Sequence, residues 1–224
     1  MNTMARAIIA DDHPLFRAAL HQALRESLGD NIEQVASFDE LAASLQQNPL
    51  VELVFLDLNM PGNQGLTGLT SLRNQYPDIL VVVVSANEQL SVIRRALDFG
   101  ASAYIPKSVP LESLTNAVQQ VLTGETWVPP EIADELAHSD ANPDQQAFAA
   151  QLEQLTPQQF KVLQCIADGL LNKQIAYQLN VQETTIKQHV SAILRKLGVY
   201  NRTQAGIMFR QMLNSEDPDS QAHL

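Results

Sequence analysis

Five side chains that could bind a phosphoryl group or its metal ion follow short apolar runs in the first half of the chain. They are Asp11, Asp12, Asp57, Ser85 and Lys107. Mg²⁺ is commonly held by one or two carboxylates together with phosphate oxygens, and clustered carboxylates repel one another without a cation. We expect Asp57 to attack phosphorus, with Mg²⁺ at Asp12 and Asp57 and with Asp11 acting through water. Lys107 would add a positive charge beside a phosphate oxygen, and Ser85 would add a hydroxyl group.

The apolar runs before these side chains predict strands that are buried on both faces of a parallel sheet. The runs span residues 6–10, 53–56, 79–84 and 103–105, and a shorter strand is expected near 32–36. Helical patterns alternate with them at 14–28, 39–47, 66–75, 88–99 and 110–122. This alternation predicts an α/β fold with a doubly wound, five-stranded parallel sheet. Because ligands bind at the carboxyl ends of such strands, the phosphoryl-binding side chains should meet at that edge.

The second half of the chain has helical patterns and no strand signal. Residues 127–154 contain three prolines, six acidic side chains and no basic one, which is typical of a linker, and a partly helical segment is expected from Asp144. Four helical patterns follow at 157–168, 173–179, 183–197 and 203–213. These observations divide the chain into a first domain at 4–126, an acidic linker at 127–154, a smaller all-α domain at 155–213 and a disordered tail at 214–224.

The formal net charge of −11 is distributed unevenly along the chain. Residues 1–128 carry −7 and residues 129–154 carry −6, whereas residues 155–210 carry +5. A basic segment within an acidic protein marks where an anionic partner could bind. The single Cys165 fits a reducing compartment, and no apolar run approaches the roughly 20 residues that span a bilayer. Residues 1–10 also lack a signal-peptide pattern, so we expect a cytoplasmic protein without membrane contact.

The basic segment contains the pattern of a helix-turn-helix, with a tight turn expected near Asn180. The second helix buries an apolar stripe that includes Ile186, Val190 and Ile193. At 100° per residue, the opposite arc of about 100° carries polar and basic side chains. These are Thr184, Lys187, Gln188, Ser191 and Arg195. A recognition helix in the major groove of double-stranded DNA needs such a face.

Residues 4–124 resemble the receiver domain of two-component response regulators. The matching elements are Asp11-Asp12, Asp57 to Pro61 with Gly65, Ser85-Ala86, and Tyr104 with Lys107. The resemblance implies a flavodoxin-like fold and a phosphoryl group that Asp57 accepts from a sensor histidine kinase. It also implies Mg²⁺ bound by Asp12, Asp57 and the Asn59 carbonyl, and a conformational switch formed by Ser85 and Tyr104. Two departures, Gln64 for a common acid and Ser108 for a common proline, remove no chemical participant.

Residues 155–213 resemble the LuxR-type helix-turn-helix. The matching elements are Leu155-Thr156-Pro157, Val162-Leu163, residues 172–176, residues 185–190, residues 196–199 and Asn201-Arg202. The resemblance implies that Lys187, Gln188 and Ser191 face base edges. It places Lys173, Thr184 and Arg195 nearer to phosphates. Lys161, Gln158 and Gln159 depart from the family pattern, so altered contacts within the first helix are expected.

The two resemblances together indicate a response regulator of the NarL/FixJ type, which is a transcription factor and not an enzyme. Phosphorylation at Asp57 is expected to draw Ser85 inward, followed by Tyr104, and to change the face of the fourth helix, fifth strand and fifth helix. That change would alter homodimerisation or release the basic module from the receiver. RNA polymerase is a further candidate partner.

Two alternatives stay open at this stage. A Mg²⁺-dependent phosphatase could use Asp57 as its nucleophile, although such enzymes need a second acid where this chain has Asn59. A regulator that works without phosphate would contain the same acidic residues as a vestige. Two aromatic residues are assigned structural roles: we expect His13 to begin a helix beside Pro14 rather than to act as a ligand or base, and Trp127 to pack where the last receiver helix meets the linker.

Overall fold

A five-stranded parallel sheet forms the centre of the first half of the protein. The computed structural model describes residues 7–110, 112–138 and 142–213. The strands are β1 (Ala7–Ala10), β2 (Ile32–Val35), β3 (Leu53–Asp57), β4 (Leu80–Ser85) and β5 (Ala103–Pro106). They lie in the order β2-β1-β3-β4-β5, and every neighbouring pair is parallel. The predicted doubly wound α/β fold is confirmed.

Helices cover both faces of this sheet, which explains the unbroken apolar runs in its central strands. The helices are α1 (Pro14–Leu28), α2 (Phe38–Gln47), α3 (Thr67–Gln75), α4 (Leu90–Asp98) and α5 (Glu112–Leu122). Alternate residues of β1 point to opposite faces: Ile9 packs with the apolar residues of α1 and α5, whereas Ile8 packs with those of α2, α3 and α4. Ile8 and Ile9 are both fully buried. All residues of β1 and β3 are buried.

The segment that was expected to be a linker contains two helices, α6 (Pro130–His138) and α7 (Pro143–Glu153). The sequence predicted helix only from Asp144. The helix α6 was missed because its three acids, with Pro129 just before it and Pro130 at its start, resemble a solvated connection. Leu136 of α6 is nevertheless buried against the core. Trp127 is 6% exposed and pairs with Ala103 of β5, as expected for a packing residue at the end of the receiver.

The remaining described residues form the small helical domain that the sequence predicted. Its helices are α8 (Pro157–Ala167), α9 (Asn172–Gln178), α10 (Glu183–Lys196) and α11 (Arg202–Leu213). The turn between α9 and α10 contains Asn180 at φ 52°, a left-handed conformation that asparagine tolerates well. Phe160 of α8 packs edge-on against Phe209 of α11, with 5.7 Å between the ring centroids. The predicted tail at 214–224 lies outside the described residues.

The helical domain and α7 pack against the α3–α4 side of the receiver. The Leu66 N–H donates to the Leu213 carbonyl at 2.8 Å, and Asn74 Nδ2 donates to the Leu155 carbonyl at 2.7 Å. Phe148 of α7 meets Phe99 edge-on at 6.3 Å between centroids. A single apolar cluster therefore continues from the receiver into the helical domain. Within the described parts of the chain, no helix is both long and apolar enough to cross a membrane.

Candidate functional site: an acidic pocket and a basic helix face

The carboxyl edge of the sheet brings the predicted phosphoryl-binding residues together. Asp11 follows β1 directly, Asp57 is the last residue of β3, and Ser85 is the last residue of β4. Lys107 follows the end of β5, and its backbone N–H donates to the Ser85 carbonyl at 2.8 Å. Parallel strand order alone therefore gathers residues that are up to 96 positions apart in the sequence, from 11 to 107.

The Lys107 ammonium group lies between two buried carboxylates. Lys107 Nζ is 2.7 Å from Asp57 Oδ2 and 2.8 Å from Asp11 Oδ2. Asp11 is 1% and Asp57 2% exposed. Burial alone would lower the pKa of Lys107, but the hydrogen bonds to Asp11 and Asp57 and their negative charges outweigh it and raise the pKa. The ammonium also lies 4.9 Å from the centroid of the Phe16 ring, which attracts a positive charge. The ring and the two carboxylates together favour the charged form of Lys107.

His13 begins α1 as expected, but its side chain turns towards the acidic residues instead of packing beside Pro14. It is the N-cap residue of α1, and its side chain is 66% exposed. Its Nδ1 atom lies 2.7 Å from Asp12 Oδ1 and 3.3 Å from Asp11 Oδ1. The sequence could not show this orientation, because a side chain at a helix start can point to either side of the chain.

A divalent cation fits the set of donor atoms at this edge. Ligand atoms of Asp11, Asp12, His13 and Asp57 all lie within 4.8 Å of one another. Asn59 lies in the loop after β3, and its backbone N–H donates to Asp57 Oδ1 at 3.1 Å. Three carboxylates with one lysine leave net negative charge, and hard cations such as Mg²⁺ prefer carboxylate oxygens.

Ser85 and Tyr104 are connected through Asn87 in the loop after β4. Ser85 Oγ accepts a hydrogen bond from the Asn87 N–H at 3.2 Å, and the Tyr104 hydroxyl donates to the Asn87 carbonyl at 2.7 Å. Both side chains are fully buried. Burial raises the pKa of Tyr104 to about 12, because a charged phenolate would lose its hydration. The Tyr104 side chain thus points into the protein core before any phosphorylation.

Asn63, a residue that the sequence analysis missed, fixes the backbone around Asp57. Its Nδ2 donates to the Asp57 and Leu58 carbonyls, each at 3.1 Å. Its Oδ1 accepts the Gly68 N–H in the first turn of α3 at 2.7 Å. Asn63 is 6% exposed, and a Cβ atom at position 68 would lie 2.6 Å from its Oδ1. The signal available in the sequence was an asparagine directly after the Pro61-Gly62 pair.

The predicted DNA-contacting residues of α10 form one exposed surface. Lys187, Gln188, Ser191 and Arg195 line a shallow depression together with Ala192. Thr184 is exposed one turn earlier on the same helix, and Lys173 is exposed on α9, outside this depression. Lys187 Nζ pairs with Glu183 at 3.1 Å, an exposed contact of little energetic weight. Ser191 Oγ donates to the Lys187 carbonyl at 3.0 Å, so DNA would have to compete for this hydroxyl.

The packing of the helical domain leaves this surface uncovered. Hydrogen bonds to the receiver involve Leu155 and Leu213, at the two ends of the domain, while the polar face of α10 stays exposed. Gln159, one of the residues that depart from the family pattern, makes two contacts within the helical domain. Gln159 Oε1 accepts hydrogen bonds from Lys196 Nζ at 2.7 Å and from the Thr156 N–H at 3.2 Å. Lys196 is thereby used inside the domain rather than on the DNA-facing surface.

Comparison with known families identifies both domains. The response regulator receiver domain matches residues 7–119, and the luxR family of bacterial regulatory proteins matches residues 153–209. The fold and the two sites thus define a two-component response regulator with an attached DNA-binding domain. The chain belongs to this family of transcription regulators, in which a receiver precedes a LuxR-type helix-turn-helix.

Three similar proteins illustrate this membership. The glycerol metabolism activator of Pseudomonas putida is 43% identical, and the alignment covers 99% of both chains. The nitrate/nitrite response regulator homologue of Haemophilus influenzae is 33% identical over 93% of this chain and 98% of its own. A solved structure of the RcsB response regulator of Salmonella typhimurium shares the fold, with a TM-score of 0.56, 23% identity and coverage of 93% and 98%.

The buried hydroxyl of Tyr104 gives a prediction about alkaline pH. Its pKa of about 12 lies above the ordinary value of 10, so Tyr104 should stay neutral while pH rises through 10 and ionise last. We expect a tyrosinate absorbance step near pH 12 that the Tyr104→Phe variant lacks. The exposed Tyr200 provides the control, because Tyr200→Phe should keep the step. If both variants retained it, Tyr104 would not be buried as described.

Proposed function

We propose that this chain is a phosphorylation-controlled, DNA-binding transcription regulator that acts in the cytoplasm and not as an enzyme. Asp57 would accept a phosphoryl group from a sensor histidine kinase, and the helix-turn-helix would bind double-stranded DNA as a homodimer. The observation that carries this proposal is the buried Asp57 carboxylate, with Lys107 Nζ at 2.7 Å, in a chain that also exposes a basic helix face.

The side chains of the pocket support transfer of a phosphoryl group to Asp57. A carboxylate oxygen of Asp57 would form a bond to phosphorus while the bond from phosphorus to the histidine nitrogen breaks, and the nitrogen retains that electron pair. Such transfer depends mainly on positioning and electrostatic stabilisation. Lys107 is placed to contact a phosphoryl oxygen, and the Asn59 N–H holds Asp57 Oδ1 at 3.1 Å. Ser85 ends the neighbouring strand, from which its hydroxyl could turn to the phosphoryl group.

Asp11, Asp12, Asp57 and the Asn59 carbonyl would hold the Mg²⁺ ion. When bound, Mg²⁺ would neutralise the charge of the phosphoryl group and of the clustered carboxylates. The chain's own residues prepare this site, since two of the carboxylates, those of Asp11 and Asp57, are buried at the sheet edge. Asn59 also stands where an aspartate-nucleophile phosphatase would need an acid, so accumulation of the phosphorylated protein is favoured over turnover.

We infer that phosphorylation reaches the helical domain through α3. Asn63 joins the Asp57 and Leu58 carbonyls to the first turn of α3, and Leu66 just before α3 donates to the Leu213 carbonyl at the end of α11. A shift of Asp57 would thus be transmitted within one loop to the contact that holds the helical domain. The polar face of α10 is already exposed, so phosphorylation need not uncover it. Phosphorylation would instead change how two helical domains are arranged on DNA.

The face of α10 supports two kinds of DNA contact. Lys187, Gln188 and Ser191 would reach base edges in the major groove, whereas Lys173, Thr184 and Arg195 would contact phosphates. A single domain with few cations makes few phosphate contacts and should bind weakly. Dimerisation would place two such domains on half-sites about one helical turn apart and raise the affinity. Genes of glycerol metabolism are the first targets to examine, given the name of the 43% identical relative.

The phosphorylation site can be tested with a small phosphodonor. After incubation of the full chain with Mg²⁺ and acetyl phosphate, intact-mass spectrometry should show one added phosphoryl group, and Asp57→Asn should abolish it. Asp78→Asn is a matched control, because Asp78 is an exposed aspartate outside the pocket. Undiminished labelling of the Asp57→Asn protein would assign the phosphoryl group to another residue.

The two kinds of DNA contact predict different mutational effects. Lys187→Ala should change the selected DNA sequence and weaken binding to it by ~1–3 kcal/mol, because a base contact is lost. Lys173→Ala should weaken binding to all sequences by a similar factor, because phosphate contacts do not distinguish bases. Lys161→Ala, an exposed lysine of α8, is the control and should change neither. The assignment fails if binding-site selection with the Lys187 variant returns the same sequence at the same affinity.

A further inference from the structure

The His13 side chain pairs with carboxylates of the acidic pocket instead of capping its helix. His13 is the N-cap residue of α1, yet among the described residues none donates a capping hydrogen bond to its side chain. The ring is two-thirds exposed and still directs Nδ1 towards three carboxylates. Nδ1 lies 2.7 Å from Asp12 Oδ1, 3.3 Å from Asp11 Oδ1 and 3.8 Å from Asp57 Oδ2.

These separations suit atoms that share a metal ion. Two neighbouring ligands at about 2.1 Å from an octahedral ion lie about 3 Å from each other. His13 Nδ1 lies 2.7 Å from the Asp12 oxygen and 3.3 Å from the Asp11 oxygen, on either side of this value. The distance to the Asp57 oxygen, 3.8 Å, exceeds it by less than an ångström. At Asp11, Lys107 contacts Oδ2 whereas His13 Nδ1 approaches Oδ1, so the two do not compete for one oxygen of that carboxylate. At Asp57 both approach Oδ2, with Lys107 Nζ at 2.7 Å and His13 Nδ1 at 3.8 Å.

We propose that His13 is a nitrogen ligand of the divalent-cation site and makes it selective for ions that accept imidazole. Mg²⁺ prefers oxygen ligands, whereas imidazole suits first-row transition ions, of which Mn²⁺ also accepts carboxylates and octahedral geometry. The pocket therefore binds Mn²⁺ more tightly than a site of carboxylates alone would. This inference rests on the proposed function insofar as the pocket must bind a divalent cation.

Pulsed electron paramagnetic resonance of the full chain loaded with Mn²⁺ tests this directly. A directly coordinated imidazole nitrogen produces ¹⁴N modulation in the spectrum, and we expect that modulation in the unaltered protein. His13→Asn should abolish it, because an amide side chain offers oxygen and not imidazole nitrogen. His21→Asn is the matched control, since His21 lies on the same helix, outside the cluster of ligand atoms, and its replacement should leave the modulation unchanged.

Calorimetric titrations with Mn²⁺ and Mg²⁺ complete the test. His13→Asn should weaken Mn²⁺ binding at least tenfold and change Mg²⁺ binding much less, whereas Asp12→Ala should weaken both. Retained Mn²⁺ affinity without ¹⁴N modulation, or the same modulation in His13→Asn, would overturn the role of His13 and leave the proposed metal site intact. If neither ion bound the unaltered protein, the proposed metal site would fail, and the role of His13 with it.

Discussion

The carboxylates at the carboxyl edge of the sheet repel one another, and the arrangement of the acidic pocket follows from this repulsion. Asp11 and Asp57 are buried there at 1% and 2% exposure, and burying such charges is unfavourable unless cations compensate them. Lys107 provides this compensation for both, at 2.8 and 2.7 Å. The remaining negative charge would attract a divalent cation and, with that cation, a phosphoryl group. Structural stability and chemistry thus depend on the same three side chains.

The surroundings of this pocket explain how one event could affect a distant DNA-binding face. The loop after β3 carries Asn63, whose side chain forms hydrogen bonds to the backbone on both sides of the turn, so this loop is tied to the start of α3. The helical domain contacts the receiver next to that point, through Leu66 and Leu213. The polar face of α10 remains exposed, so the domain is attached to the receiver through surfaces other than the one that would contact DNA. Phosphorylation would therefore control DNA binding through the position of the helical domain and through dimerisation.

Much of this organisation could be predicted from the sequence because it depends on local patterns. Apolar runs identified the strands, parallel order brought Asp57 and Lys107 together, and the 3.6-residue period identified the face of α10. What could not be predicted depends on contacts between distant segments. The helix α6 lies in an acidic segment that begins with two prolines, and its buried Leu136 packs against the apolar cluster that includes the receiver core. The orientation of His13 and the attachment of the helical domain likewise depend on neighbours that no local pattern specifies.

Hydrogen exchange of the full-length protein, before and after phosphorylation, would show whether phosphorylation reaches the helical domain through α3. The Leu66 amide donates to the Leu213 carbonyl, so it reports on the contact between receiver and helical domain. If phosphorylation acts through α3, peptides that cover residues 66–75 and 202–213 should exchange faster after phosphorylation, and the Asp57→Asn protein should show no change under the same treatment. Unchanged exchange in these peptides, in a phosphorylated protein that has gained affinity for DNA, would contradict transmission through α3.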